Sequence, residues 1–196
     1  MPAYKGPSID TFITSFGKYD LLAWMNKYWV NQQHPNNQIW AHEFSKHATC
    51  FSTFDLPCYG PDAPAHVDVL DFFNTAIAYF RRHPTYDWLA AADIVPSNTS
   101  AYTLSDLQTV LKDASGALPY LGCSGPRFNE TAAGKGSKDS GRTVLTEVWY
   151  YMHALGRPQE MHVRQVDAST VGSSTTCATS KDAVWYYERS TGSEKS

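Results

Sequence analysis

The apolar pattern of this chain changes period part-way along, and that change constrains its fold more than any other feature. Up to about Ala114, apolar side chains recur at three- and four-residue spacings; beyond Gly116 they gather in short runs rich in β-branched and aromatic residues. The clearest helix is predicted over 67–82, where Val69, Leu70, Phe73, Ile77 and Phe80 form one stripe. A second covers 16–30, with Leu21, Leu22, Met25, Tyr28 and Trp29 on or near one face. Further helices are expected over about 39–50 and 86–92, and from an N-cap at Thr103 to about Ala114. Strands follow at about 118–122, 145–154, 161–166 and 183–187. Their connections are short, so antiparallel pairing is expected. Helices before strands define an α+β class, an antiparallel sheet packed by several helices. His66 and His83 flank the 67–82 helix and are expected to be exposed.

Composition narrows the class. The 196 residues are 42% hydrophobic and 18% charged, which describes one globular domain with a sizeable core. The net charge of −3 supplies no global basic field for polynucleotide. Any nucleic-acid contact must be local, built on stacking and a few phosphate contacts. No apolar run is long enough to span a bilayer, and Met1 is followed by Pro, Lys and Gly rather than a signal-peptide core. Asn98-Thr99-Ser100 and Asn129-Glu130-Thr131 fit the N-glycosylation pattern.

The chemistry is concentrated in Trp40-Ala41-His42-Glu43-Phe44-Ser45-Lys46-His47-Ala48-Thr49-Cys50. On a helix, His42 and Lys46 are one turn apart, as are Glu43 and His47. Two imidazoles, a carboxylate and an ammonium suit a reaction at phosphate, which must move protons near neutral pH and stabilise an anionic transition state. A solvated helix face is the bland alternative. A zinc pair is the sharp one, but His-Glu-x-x-His places its imidazoles at i,i+4. Here the second histidine comes one residue later, about 140° around the axis from the first. The expectation is therefore no metal and no cofactor.

That segment resembles the second active-site segment of the ribonuclease T2 family, Trp-x-His-Glu-Trp-x-Lys-His-Gly-Thr-Cys. The match holds at Trp40, His42, Glu43, Lys46, His47, Thr49 and Cys50; Phe44 and Ala48 depart from it. The resemblance runs from about Phe16 to Glu188. It includes Tyr86-Asp87-Trp88-Leu89, Ile94-Val95-Pro96-Ser97 and Tyr102-Thr103, which are similar to the fungal branch. Leu145-Thr146-Glu147-Val148-Trp149 is similar to a later family strand.

The resemblance implies metal-independent cleavage of single-stranded RNA by attack of the ribose 2′-oxygen on phosphorus, giving a 2′,3′-cyclic phosphate. It implies His47 as base, Glu43 orienting it, Lys46 stabilising the phosphorane and His42 binding phosphate. It implies a secreted or vacuolar monomer whose partner is RNA, not DNA and not a membrane. A bond between Cys123 and Cys177 is also implied.

The family's first segment, His-Gly-Leu-Trp-Pro, has no counterpart between Met1 and Trp40; the upstream imidazole, His34, sits in a polar loop. The family would also pair Cys50 and Cys58 with cysteines nearer the N-terminus, and none is found there. The expectation is an N-terminally truncated chain, with strand and acid-bearing histidine missing, impaired activity, and Cys50 and Cys58 as buried thiols or paired with each other. A non-catalytic RNA- or protein-binding scaffold is the alternative. Residues 1–15 remain unplaced, 16–188 form the domain, 131–142 read as a flexible insertion and 189–196 as a disordered tail.

Overall fold

A computed structural model describes residues 6–32, 34–125 and 142–189. Asn129, the body of the 131–142 stretch and the tail from 190 lie outside the described residues. The chain divides into two compact units, one built on Met1–Arg82 with Gly156–Met161, the other on His83–Leu155 with His162–Arg189.

The first unit is helical: α1 (Ile9–Ser15), α2 (Tyr19–Tyr28), α3 (Asn36–His47) and α4 (Val67–Arg82), with 3-10 turns at Ala48–Cys50, Ser52–Phe54, Leu56–Tyr59 and Pro158–Glu160. α1 occupies the segment that sequence left unplaced. Its Ile9, Phe12 and Ile13 are buried in one core with Leu21, Met25, Trp40, Phe54, Val69, Leu70, Phe72, Phe73 and Ile77. The expected helix from Phe16 starts later, at Tyr19, because Gly17 takes a left-handed conformation (φ 69°). Its N–H and that of Lys18 bond back to Thr14 and Ile13 carbonyls, closing α1. α4 keeps its expected bounds, since a sixteen-residue stripe leaves no competing period. His66, just before it, is half-buried with its ring 4.2 Å from Phe12, not exposed. Phe80 departs the other way: it is 55% exposed although it belongs to the apolar stripe.

The second unit holds α5 (Thr85–Ala90), α6 (Leu104–Ser115), α7 (Ala168–Val171) and five short strands: β1 (Tyr120–Ser124), β2 (Thr143–Trp149), β3 (Tyr151–Ala154), β4 (Val163–Val166) and β5 (Val184–Trp185). Leu89, Ile94, Leu104, Leu107, Leu111, Leu121 and Val184 form its core. Thr103 precedes α6 in extended conformation but does not cap it with its side chain; its hydroxyl donates to Asp182 Oδ1 at 3.1 Å. Gly116 closes α6 in the left-handed region (φ 87°).

The expected strand over 145–154 is two strands in two sheets. β1-β2-β5 form one and β3-β4 the other. The break falls at Tyr150, whose ring lies 4.5 Å from that of His83 and whose hydroxyl is 2.8 Å from Thr85 Oγ1. β1–β2 and β3–β4 are antiparallel, whereas β2–β5 is parallel. The chain between β2 and β5 carries β3, β4 and α7, which is ample for a crossover. Cys123 and Cys177 are disulfide-bonded, tying β1 to the segment before β5. His83 is 8% exposed, against expectation; its Nε2 lies 2.8 Å from Gln165 Nε2, so its polar edge is satisfied inside the unit.

Candidate active site on helix α3

α3 is held at its start by a set of side-chain hydrogen bonds. Buried Asn36 accepts from the Asn31 N–H at 2.8 Å and donates to Asn26 Oδ1 at 3.1 Å. Asn37 Oδ1 accepts from the Asp10 N–H at 3.0 Å, joining α3 to α1. One turn on, Trp40 is 1% exposed and its indole N–H donates to the Trp29 carbonyl at 2.8 Å. Phe44 packs edge-on to Phe72 of α4, and Ala48 is buried. Positions 40, 41, 44 and 48 thus define the inner face. At about 100° per residue, 42 and 46 then face outward and 43 lies on the flank. His47, seven residues on from Trp40, falls back beside the inner stripe and is exposed because the helix ends there. The apolar residues set the rotation of the helix, which turns His42 and Lys46 outward, and the end of the helix exposes His47.

His42, Lys46 and His47 are exposed and Glu43 is partly buried. His47 Nε2 lies 3.5 Å from Glu43 Oε2, one turn apart. His42 also comes close, its ring centroid 6.3 Å from that of His47. This corrects the angular argument made from sequence: although the histidines start about 140° apart, Glu43 sits between them. His47 has also left ideal helical geometry (φ −106°) where the 3-10 turn begins. Ligating atoms of His42, Glu43 and His47 lie within 4.8 Å of one another. Zinc donors sit about 2.0–2.2 Å from the ion, so a metal would need the trio drawn closer. The three residues are nevertheless placed where they could hold one.

Electrostatically, the cluster occupies a helix C-terminus. Lys46 and His47 lie in the last turn of α3, where the helix dipole favours cations. The same dipole opposes an anion, so a phosphate here has to be attracted by side chains rather than by free backbone N–H groups. Two imidazoles and an ammonium supply that attraction, and Glu43 offers an acceptor beside one imidazole.

The remaining sequence-identified residues lie elsewhere. Cys50 and Cys58 are exposed free thiols rather than buried or mutually bonded ones. Cys50 Sγ is 3.7 Å from the Lys46 carbonyl and Cys58 Sγ 3.2 Å from that of Ser52. The short 3-10 turns that carry both thiols keep them on the surface. Asn98 is exposed, its amide donating to Glu188 Oε2 at 2.9 Å. Sequence reading missed Asp68, a carboxylate with one buried oxygen lacking a hydrogen-bond partner. Nothing in the linear pattern marked it, because an aspartate in the first turn of a helix is ordinary.

Comparison with known proteins shows the family to which the chain is related. The profile of the ribonuclease T2 family matches residues 7–171. Ribonuclease Trv of Hypocrea rufa is 34% identical over 91% of this chain and 67% of its own length. Ribonuclease T2-like 1-A of Candida albicans is 35% identical over 89% of this chain but only 39% of its own. The chain therefore spans between about two fifths and two thirds of these relatives. Among solved structures, Actibind, a T2 ribonuclease, matches 95% of this chain and 72% of its own with a TM-score of 0.73 at 26% identity. No helix among the described residues is long and apolar enough to cross a membrane. With a profile match across most of its length and relatives above 30% identity, the chain belongs to the ribonuclease T2 family.

Proposed function

We propose that this chain is an endoribonuclease acting on single-stranded RNA, with α3 as its reaction surface. The observation that carries the reading is the gathering of His42, Glu43, Lys46 and His47 at the solvent-facing C-terminal end of α3. His47, beside Glu43, takes the proton from the ribose 2′-hydroxyl. The 2′-oxygen then bonds to phosphorus, the bond from phosphorus to the 5′-oxygen breaks, and a 2′,3′-cyclic phosphate forms. Lys46 balances charge on the phosphorane's oxygens and His42 holds the phosphate. DNA has no 2′-hydroxyl and is not a substrate. The steps use side chains alone and need no cofactor.

The departing 5′-oxygen needs a proton, and a family member's first segment would bring a histidine for it. This sequence carries no His-Gly-Leu-Trp-Pro, and the ring beside His47 is that of His42. Loss of a positioned acid costs about 10²–10⁴ in rate. The chain as given is therefore expected to be slow beside one supplied with that segment. The same observation favours the second reading, a scaffold that binds RNA or a protein without cleaving. An exposed Asn98 supports glycosylation, and with it a secreted or vacuolar protein.

The test is cleavage of a single-stranded oligoribonucleotide, with the cyclic phosphate followed by phosphorus NMR, for this chain and for one extended through His-Gly-Leu-Trp-Pro. Slow cleavage by the first and fast cleavage by the second is the expected result. Binding without any cleavage by either would leave the scaffold reading standing alone.

A further inference from the structure

Away from the reactive face of α3, the first unit holds an aromatic groove between α2 and α4. Trp24, Tyr28, Trp29, Ala76, Ile77 and Phe80 line about 250 Å³. Three of the rings form one open cluster: Trp24 lies 4.7 Å from Tyr28 and 5.1 Å from Phe80, centroid to centroid. Tyr28 and Phe80 are half exposed. Core packing does not account for them, since the apolar stripe of α4 is already buried through Ile77.

Cations stand against two of the groove's rings, and the carboxylate nearest in α2 is Asp20, one turn before Trp24. Lys27 Nζ sits 4.9 Å from the centre of the Tyr28 ring and Arg81 Cζ 5.5 Å from that of Trp24. Arg82 follows at the end of α4. Stretches 21–30 and 74–82, which supply every lining residue, contain these three cations and no carboxylate. Such a local excess is notable in a chain of net charge −3.

We propose that this groove is an accessory subsite for single-stranded RNA, stacking a base against Trp24, Tyr28 and Phe80 while Lys27 and Arg81 contact the neighbouring phosphates. Exposed aromatic faces beside unpaired-strand phosphate contacts are how proteins grip RNA without reading its sequence. An apolar occupant would leave Lys27 and Arg81 without an anionic partner; a polynucleotide satisfies ring and charge together. The inference rests on the RNA substrate proposed above. Its consequence is a preference for long substrates over dinucleotides, which can reach only the reacting phosphate.

The test uses the full chain and a 2′-O-methyl oligouridylate, which cannot be cleaved because its 2′-oxygen is blocked. Phe80→Ala should weaken binding about tenfold, the size of one lost stacking contact, and Phe80→Tyr should restore it where Phe80→Leu does not. Arg81→Ala should lower the slope of log affinity against log salt by about 0.7, one phosphate on a single strand. Cleavage of the dinucleotide UpU should be unchanged by Phe80→Ala. Binding equal to that of the unaltered chain in both Phe80→Ala and Trp24→Ala, with native circular dichroism, would overturn the subsite. So would a change in sedimentation with RNA binding intact, since the groove would then be covered by a second copy. Groove-dependent binding in a chain that cleaves nothing would sink the catalytic reading and leave the subsite in place.

Discussion

The two compact units treat their cysteines in opposite ways. In the second, Cys123 and Cys177 are bonded and Leu121 beneath them is fully buried. In the first, Cys50 and Cys58 are surface thiols, eight positions apart and unbonded. The contrast extends to other groups. The second unit satisfies even its buried histidine, through Gln165 and Tyr150. Both units expose imidazoles and aromatic rings, among them His153, His162, Tyr86 and Trp149 in the second, but among the described residues the buried carboxylate oxygen without a partner is in the first. The units differ in covalent cross-linking and in polar satisfaction rather than in exposure. Reactive groups have to remain exposed to meet a substrate, so the helical unit cannot close over them.

The contrast breaks most sharply at His47. Its side chain is half exposed, so His47→Ala should leave the fold intact and remove the proposed base. The expected loss is about 10²–10⁴ in cleavage rate with thermal stability unchanged; a fall in Tm of many degrees would mean that the residue is structural. Trp40, two positions before His42, should behave in the reverse manner. Trp40→Ala empties a fully buried site and frees the Trp29 carbonyl. A cost of about 3–5 kcal/mol is expected in denaturant unfolding, with activity falling only through loss of folded protein.

The cysteines sharpen the same comparison. Replacing Cys123 and Cys177 by alanine should cost about 2–5 kcal/mol. Replacing Cys50 and Cys58 by serine should change stability by no more than about 0.5 kcal/mol, the range for surface sites. Unfolding curves of the two double variants, measured side by side, decide it. Equal losses would show that the surface thiols are bonded or packed in solution and would erase the distinction between the units.

Much of this was legible in the linear sequence wherever one period dominates. α4 was readable to its ends because its apolar stripe repeats over four turns. The outward direction of His42 and Lys46 on α3 was readable because Trp40 and Phe44 fix the rotation of the helix. The exposure of His47 was not, because its angular position is close to that of Trp40 and only the end of the helix frees it. Nor was the approach of His42 to His47, because side-chain reach is invisible to angular spacing. α1 escaped notice because seven residues hold too few periods to stand out, although Ile9 and Ile13 are completely buried. The split of β2 from β3 at Tyr150 and the burial of His83 have one cause. A tertiary contact between these two residues overrides a run that reads locally as continuous strand. The parallel β2–β5 pair was hidden for a similar reason, since strand direction depends on partners distant in sequence.

The smallest expected effect concerns the carboxylate left unpaired in the helical unit. Burial pushes Asp68 above the ordinary aspartate range, the Val69 N–H and the neighbouring His66 pull it partly back, and Asp55 adds a like charge. Position in the first turn of α4 offers some compensation, because the helix dipole favours an anion there. A carboxyl whose pKa is higher in the folded chain than in the unfolded one binds protons more tightly when folded. Its ionisation therefore destabilises the fold as pH rises through the folded pKa. Below the unfolded value both states carry the proton and the strain is absent. Asp68→Asn, which resembles the protonated acid, should accordingly stabilise the chain slightly at neutral pH, by an amount that solvent screening of this partly exposed group keeps small. Its advantage should fade as pH falls into the ordinary aspartate range. Paired urea titrations across that interval measure the difference directly. A constant gap at every pH would assign the effect to packing rather than to charge, and a loss on substitution would mean that the carboxylate has a partner in solution. The helical unit would then be as fully satisfied at this position as the sheet-bearing one.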